Sequence, residues 1–277
     1  MEPVLVGAVA YTPNAVPIWE GLRDYYRGAP VEMDFVLFSN YARQVDALLA
    51  GTIDIAWNTN LAWVRTVLRT GDRASALAMR DTDLAFRSHL VCRKGAGFRN
   101  PVDLTGRRLA LGSRDSAQAA ILPLHYLRRE GLTDGEVELL RIDSDLGKHG
   151  DTGRSELDAI RAVLDGAADA AAIGTTTWEF IGRDEGRNEG RDELMPNALE
   201  SFWISPAYCH CNFTALDSLD ADRAQAWTSH LLAMDWHDPE HRRILELAGL
   251  TQWVRPQLRG YNALFQAVKE QEIPAGW

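Results

Sequence analysis

The first eighty or so residues alternate short apolar runs with amphipathic stripes, and this alternation constrains the fold more than any other feature of the chain. Val4 to Ala10 is a short apolar run, fit for a strand buried on both faces. Thr12 and Pro13 read as an N-cap followed by proline at the first helical position. Val16, Trp19, Leu22 and Tyr26 then form one apolar stripe, which Gly28 ends. Val31, Met33, Phe35 and Leu37 alternate with Glu32 and Asp34, the period of a strand. The pattern predicts a helix over Tyr41–Ala50 closed by Gly51, a strand at Ile53–Trp57, a helix at Asn60–Arg69 and a strand at Ala74–Met79. A βαβαβ succession of this kind implies a parallel sheet covered by helices.

A second α/β unit runs from about Phe86 to about Ser205. Its expected strands are Arg107–Leu111, Val137–Ile142 and Asp169–Ile173, with helices at Ser116–Glu130, Leu157–Leu164 and from about Thr176. The charged, glycine-punctuated run Arg183–Glu193 reads as a solvated surface loop. A strand near Cys209–Thr214 follows, then helices near Asp222–Asp235, Pro239–Ala248 and Tyr261–Gln271.

At 277 residues the chain exceeds the usual size of one compact core, so two lobes are expected. A net charge of −10 argues against a nucleic-acid partner, because phosphate backbones need a basic face. No run approaches the eighteen or so apolar residues that span a bilayer, so no membrane insertion is expected. Residues 1–10 lack a basic n-region and a cleavage site, and they read as the first core strand. The protein is therefore cytoplasmic as the sequence stands, or exported if a signal peptide has been removed. The three cysteines, Cys92, Cys209 and Cys211, make no disulfide framework and are expected as free thiols.

The most specific stretch lies between residues 77 and 131. It contains Phe86-Arg87-Ser88, then Asp103-Leu104-Thr105-Gly106-Arg107-Arg108, a strand, and Gly112-Ser113-Arg114-Asp115-Ser116 opening a helix that reaches Pro123. Val163-Leu164-Asp165-Gly166 leading to Asp169-Ala170-Ala171, and Tyr41 with Leu48-Leu49-Ala50-Gly51 before Ile53-Asp54, continue the pattern in the same order. This arrangement resembles the phosphonate-type solute-binding proteins of ABC importers. The resemblance implies a type II periplasmic-binding-protein-like α/β fold, two Rossmann-like lobes joined by a two-strand hinge. Lobe one would comprise residues 1–86 and 211–277, and lobe two residues 87–210. It also implies a small-molecule ligand held in an interlobe cleft with hinge closure, and an ABC permease as partner if the protein is exported.

Ligands of open α/β sheets sit beyond the carboxyl ends of the strands. That places Tyr11, Asn58, Thr59, Asn60, Arg80, Ser113, Ser116, Gln118, Thr176 and His210 as candidate ligand contacts. Ser113 and Ser116 flank a helix start, where backbone N–H groups and the helix dipole favour an oxyanion; Ser116 serves equally as a cap. The family's Ser-Thr-Ser run is here Ser116-Ala117-Gln118, with Asp115 beside it, and Glu156 stands where a histidine is usual. Arg80 is the counter-charge candidate, with a salt bridge to Asp81 or Asp83 as its alternative.

Tyr208-Cys209-His210-Cys211-Asn212 departs from the family pattern. In a strand, Cys209 and Cys211 would share one face and His210 the other, so the three could not meet at one ion without a bulge. Small buried cysteines filling a tight hinge is the preferred reading. No cofactor is predicted; should a transition metal bind, Cys209, His210 and Cys211 are its candidates. The leading function is a non-catalytic binding protein for a small polar or anionic solute, whether phosphonate, phosphate ester or carboxylate. The alternative is a cytoplasmic enzyme on the same scaffold, a lyase, a decarboxylase or a metal- or thiol-dependent catalyst, using Cys209, His210 and Cys211.

Overall fold

A computed structural model of the chain describes residues 2–13, 15–133, 135–182 and 198–276. The run Arg183–Glu193, expected as a surface loop, lies outside these residues, as does Asn14. In chain order the first elements are β1 (Val4–Val9), α1 (Ala15–Tyr25), β2 (Met33–Phe38), α2 (Tyr41–Leu49), β3 (Ile55–Asn58), α3 (Asn60–Thr70) and β4 (Ala74–Arg80). Then come β5 (Ser88–Arg93), β6 (Arg108–Leu111), α4 (Leu122–Arg129), β7 (Glu138–Arg141), α5 (Arg154–Leu164), β8 (Ala170–Gly174), α6 (Thr175–Gly182) and β9 (Leu199–Ile204). The chain closes with β10 (Asn212–Leu216), α7 (Ala221–Leu232), α8 (Pro239–Ala248), β11 (Trp253–Val254) and α9 (Asn262–Glu270). Two compact units result: Met1–Ala85, Tyr208–Asn262 and Pro274–Trp277 in the first, Phe86–Ala207 and Ala263–Ile273 in the second.

Unit one is built on a six-stranded sheet of order β11-β4-β10-β3-β1-β2. β1 pairs in parallel with β2 and with β3, as the βαβ rhythm predicts. β10 runs antiparallel to both β3 and β4, so β4 keeps the common direction but is separated from β3 by a strand from late in the chain. One face of the sheet carries Val4, Val6 and Ala8 against Trp19 and Leu22 of α1, Tyr26 just after it and Trp227 of α7, all buried. Burying a valine or leucine side chain of this set contributes roughly 1.5–3 kcal/mol. On the opposite face Gly7 makes room for the side chain of Ile53, since a Cβ there would meet Ile53 Cδ1 at 2.4 Å. The helix expected from Pro13 begins instead at Ala15, whose N–H bonds the Thr12 carbonyl at 3.1 Å.

Unit two holds a five-stranded sheet of order β7-β6-β8-β5-β9. β6 is parallel to β7 and β8, whereas β5 is antiparallel to its neighbours β8 and β9. Strand β9 has no counterpart in the sequence expectation. The helix expected over Ser116–Glu130 is divided: a wide π-type turn covers Ala117–Ile121 before α4 begins. Pro123 explains the division, because it has no N–H for the carbonyl of Ala119. That carbonyl accepts from Gly112 N–H instead, at 3.0 Å. Gly112 permits the approach, as a Cβ there would lie 2.7 Å from Ala119 Cβ. Helix α9 docks in this unit through His125 Nδ1 and Glu270 Oε2, 2.6 Å apart, and through Arg129, which donates to Gln266 Oε1 at 2.8 Å.

Candidate ligand-binding residues

In unit one the carboxyl ends of β1, β3 and β4 meet the entry of β10 at one end of the sheet, with Asn212 registered opposite Asn58. A chain of neutral hydrogen bonds runs across that end. Gln44 Nε2 donates to Asn58 Oδ1 at 2.8 Å, and Asn58 Nδ2 to Thr214 Oγ1 at 3.0 Å. Thr214 in turn donates to Asn212 Oδ1 at 2.7 Å, and Asn212 Nδ2 to the Tyr261 hydroxyl at 3.0 Å. Asn58 is therefore engaged by the fold itself. Thr59 caps α3 by accepting from Ala62 N–H at 3.2 Å, and Asn60 Nδ2 reaches the Cys209 carbonyl at 3.4 Å.

Arg80 takes its alternative role. Its Nε and Nη2 hold the two oxygens of Asp83 at 2.6 and 2.9 Å, and its Nη1 donates to the Ala248 carbonyl at 3.1 Å. The guanidinium also lies 5.3 Å over the Trp57 ring. Burial alone would raise the Asp83 carboxyl, but the Arg80 charge and hydrogen bonds from His210 and Arg80 hold it at about 2. Tyr11 sits within the field of the Arg80 charge.

Cys209, His210 and Cys211 precede β10 rather than belonging to it, so strand alternation does not govern them. His210 Nδ1 lies 3.1 Å from Cys211 Sγ and 3.4 Å from Asp83 Oδ1. Cys209 turns away: its thiol donates to the Gln257 carbonyl at 3.3 Å, and burial pushes that thiol up to about 11. The expectation that the two cysteines share a face apart from His210 is thus corrected.

In unit two the polar set gathers beyond β6, β7 and β8. Ser113 donates to Asp145 Oδ1 in a short hydrogen bond and accepts from Asp145 N–H at 3.2 Å; Asp145 Oδ2 also accepts from Thr152 at 2.8 Å. Ser116 caps the following turn, accepting from Ala119 N–H at 3.1 Å. Gln118 Nε2 donates to Glu156 Oε1 at 3.2 Å and reaches the His149 carbonyl at 3.4 Å. Gly150, at φ +82°, packs so tightly here that a Cβ would meet Ser116 Oγ at 2.6 Å and Gln118 Nε2 at 2.8 Å. Only glycine combines that φ with that approach.

Glu156 is the residue the sequence placed here without explaining. It is 2% exposed, accepts from Gly174 N–H at 2.7 Å, and is also hydrogen-bonded by Thr177 and Gln118. Burial nonetheless pushes its carboxyl up to about 7, with the nearby Asp145 charge adding to the rise. Thr176, the expected contact, is exposed at the start of α6, and its buried neighbour Thr177 takes the inward position. Asp115, which accepts from Gly147 N–H at 2.7 Å, and Asp145 are further acidic members that the residue list from sequence omitted.

Two α/β units with polar sets at the carboxyl ends of their strands define a two-lobed solute-binding fold. The model of the family described as "ABC transporter, phosphonate, periplasmic substrate-binding protein" matches residues 11–261, and the chain belongs to that family. The fold is similar to that of PhnD1 from Prochlorococcus marinus in complex with methylphosphonate, at TM-score 0.74 and 21% identity over 97% of this chain and 98% of that one. XAC2383 from Xanthomonas citri, bound to ATP, matches at TM-score 0.74 and 16% identity over 98% of both chains. The periplasmic aliphatic sulphonate binding protein SsuA from Escherichia coli matches at 0.60 and 15%, over 99% of this chain and 80% of that one. Among the described residues, no helix is long and apolar enough to cross a membrane.

Proposed function

We propose that the chain binds a small polar solute bearing an anionic group together with a hydrogen-bond-donating group, such as an amino-substituted phosphonate or carboxylate. Membership of a substrate-binding family, over residues 11–261, is the observation that carries the binding role. The residues proposed to serve binding are Tyr11 and His210 in unit one and, taken separately, Ser113, Gln118 and Thr177 in unit two. The acidic character of the second set motivates the donor group. Asp115, Asp145 and Glu156 are buried there, and the Ser-Thr-Ser hydroxyls of the family are reduced to Ser116. A bare dianion would meet this negative field, whereas an ammonium or amide N–H complements it. An ABC permease is the proposed protein partner, as the family implies.

A thermal-shift panel tests the reading: methylphosphonate, an aminoalkylphosphonate, ATP and an alkylsulfonate, each titrated against the intact chain. A ligand at a hundredfold excess over its Kd adds about 2.7 kcal/mol, or roughly 5 °C or more for a chain of this size. The aminoalkylphosphonate should give the largest shift of the four. A larger shift with methylphosphonate would refute the donor-group assignment, and no shift with any of them would count against the anionic class altogether.

A further inference from the structure

We propose that unit one carries a binding site for a zinc-type divalent ion, formed by Asp83 Oδ1, His210 Nδ1 and Cys211 Sγ. The three donor atoms lie within 4.8 Å of one another, and all three residues are buried. They come from two segments: the turn after β4, and the stretch before β10 that leaves strand geometry and so brings adjacent His210 and Cys211 side chains together. A tetrahedral ion with bonds of about 2.0–2.3 Å to nitrogen, oxygen and sulfur sets its ligands about 3.3–3.7 Å apart. The Nδ1-to-Oδ1 separation of 3.4 Å already has that length. The Nδ1-to-Sγ separation of 3.1 Å needs to open by only a few tenths of an ångström.

The donor set suits the ion. Thiolate, imidazole and carboxylate together favour borderline metals over magnesium or calcium, which take oxygen ligands. Three protein donors leave the fourth position of the tetrahedron to water. Arg80 is compatible with the site and supports it. A carboxylate offers about four lone-pair positions, and the guanidinium uses Nε on Oδ2 and Nη2 on Oδ1. The ion would take the Oδ1 lone pair that now accepts from His210, while Arg80 holds the carboxylate as an outer-shell partner does. Binding releases the thiol proton of Cys211 to solvent, requires the imidazole proton to sit on Nε2 so that Nδ1 is free to coordinate, and involves no change of oxidation state.

The test uses the full chain prepared without chelator or affinity histidines. Zinc should bind in one equivalent, and cobalt(II) in its place should show a thiolate-to-metal charge-transfer band in the near ultraviolet. Cys211→Ser should abolish that band and weaken binding by more than the roughly 10–100-fold that loss of an outer-shell partner costs. Cys209→Ser should leave both unchanged, because its sulfur faces the Gln257 carbonyl. Should Cys211→Ser fail to fold, His210→Gln must remove the cobalt band in a folded chain, as judged by circular dichroism. Absence of zinc binding by the parent chain, or a cobalt band that persists in Cys211→Ser, would overturn the proposal.

Discussion

The polar ends of the two units solve the problem of buried charge in opposite ways. Unit one pairs its acid: Asp83 is clamped by two nitrogens of Arg80, whose guanidinium lies over the Trp57 ring, so the carboxylate stays ionised below its usual range. Unit two surrounds its acid with neutral donors: among the described residues Glu156 is hydrogen-bonded by Gly174, Gln118 and Thr177, and burial lifts it to about 7. Hydrogen bonds alone do not replace a full counter-charge when a carboxylate leaves water. The two regions therefore have opposite responses to pH and to mutation, although both line the carboxyl ends of strands.

The largest expected effect follows from breaking the paired region. Asp83→Ala leaves the Arg80 charge buried with its partner gone, a change worth about 3–5 kcal/mol of stability. Urea titration at neutral pH measures it. Because Asp83 titrates below its usual range, its contribution is present above about pH 4 and is lost as the pH falls through about 2. Variant and parent should therefore converge by about 2 kcal/mol between pH 4 and pH 2. A difference that stays constant over that range would show that Asp83 acts through packing rather than charge.

The unpaired region gives a somewhat smaller effect of opposite sign. Glu156 has a folded pKa raised from 4.5 to about 7. Its protonated form favours the fold, so this contribution is complete below about pH 4.5 and is lost progressively as the pH rises to about 7. A shift of that size corresponds to about 3 kcal/mol. In Glu156→Gln the side chain cannot ionise, and the fall in urea midpoint between pH 4.5 and pH 7 should flatten. An unchanged slope would mean that other groups produce it.

What the sequence revealed divides along the same line. The strand and helix rhythm of both units was legible because period and capping are local: Val4–Val9, Tyr41–Leu49 closed by Gly51 at φ +69°, and Pro239 behind its Asp238 cap all lie where pattern places them. The Arg80 ion pair was legible too, its partner standing three residues on. The contacts around Glu156 were not, since Gln118 lies 38 residues away in sequence and Gly174 lies 18. No local signal marks a meeting of that kind. The placement of β10 between β3 and β4 was hidden for the same reason. At His210 a strand was assumed three residues too early, from Cys209 rather than Asn212, and face alternation then separated two side chains that the irregular backbone unites. Thr176 and Thr177 differ only by helical phase, which the start of α6 decides.

The smallest effect concerns Ser116, where the two regions can be compared on ligand binding itself. Its hydroxyl oxygen accepts from Ala119 N–H and sits against Gly150, entirely buried. Loss of a cap of this kind in Ser116→Ala costs about 1 kcal/mol of stability. If the family's hydroxyl anchor has become a structural cap here, calorimetric affinity for the solute should change by less than about threefold, under 1 kcal/mol. The neutral donors around Gln118 and Glu156, rather than the serine, would then distinguish this unit's recognition from the charged clamp of unit one. A loss of affinity of tenfold or more, about 1.4 kcal/mol, would instead return Ser116 to the ligand and make the second unit a reduced form of the family's anion loop.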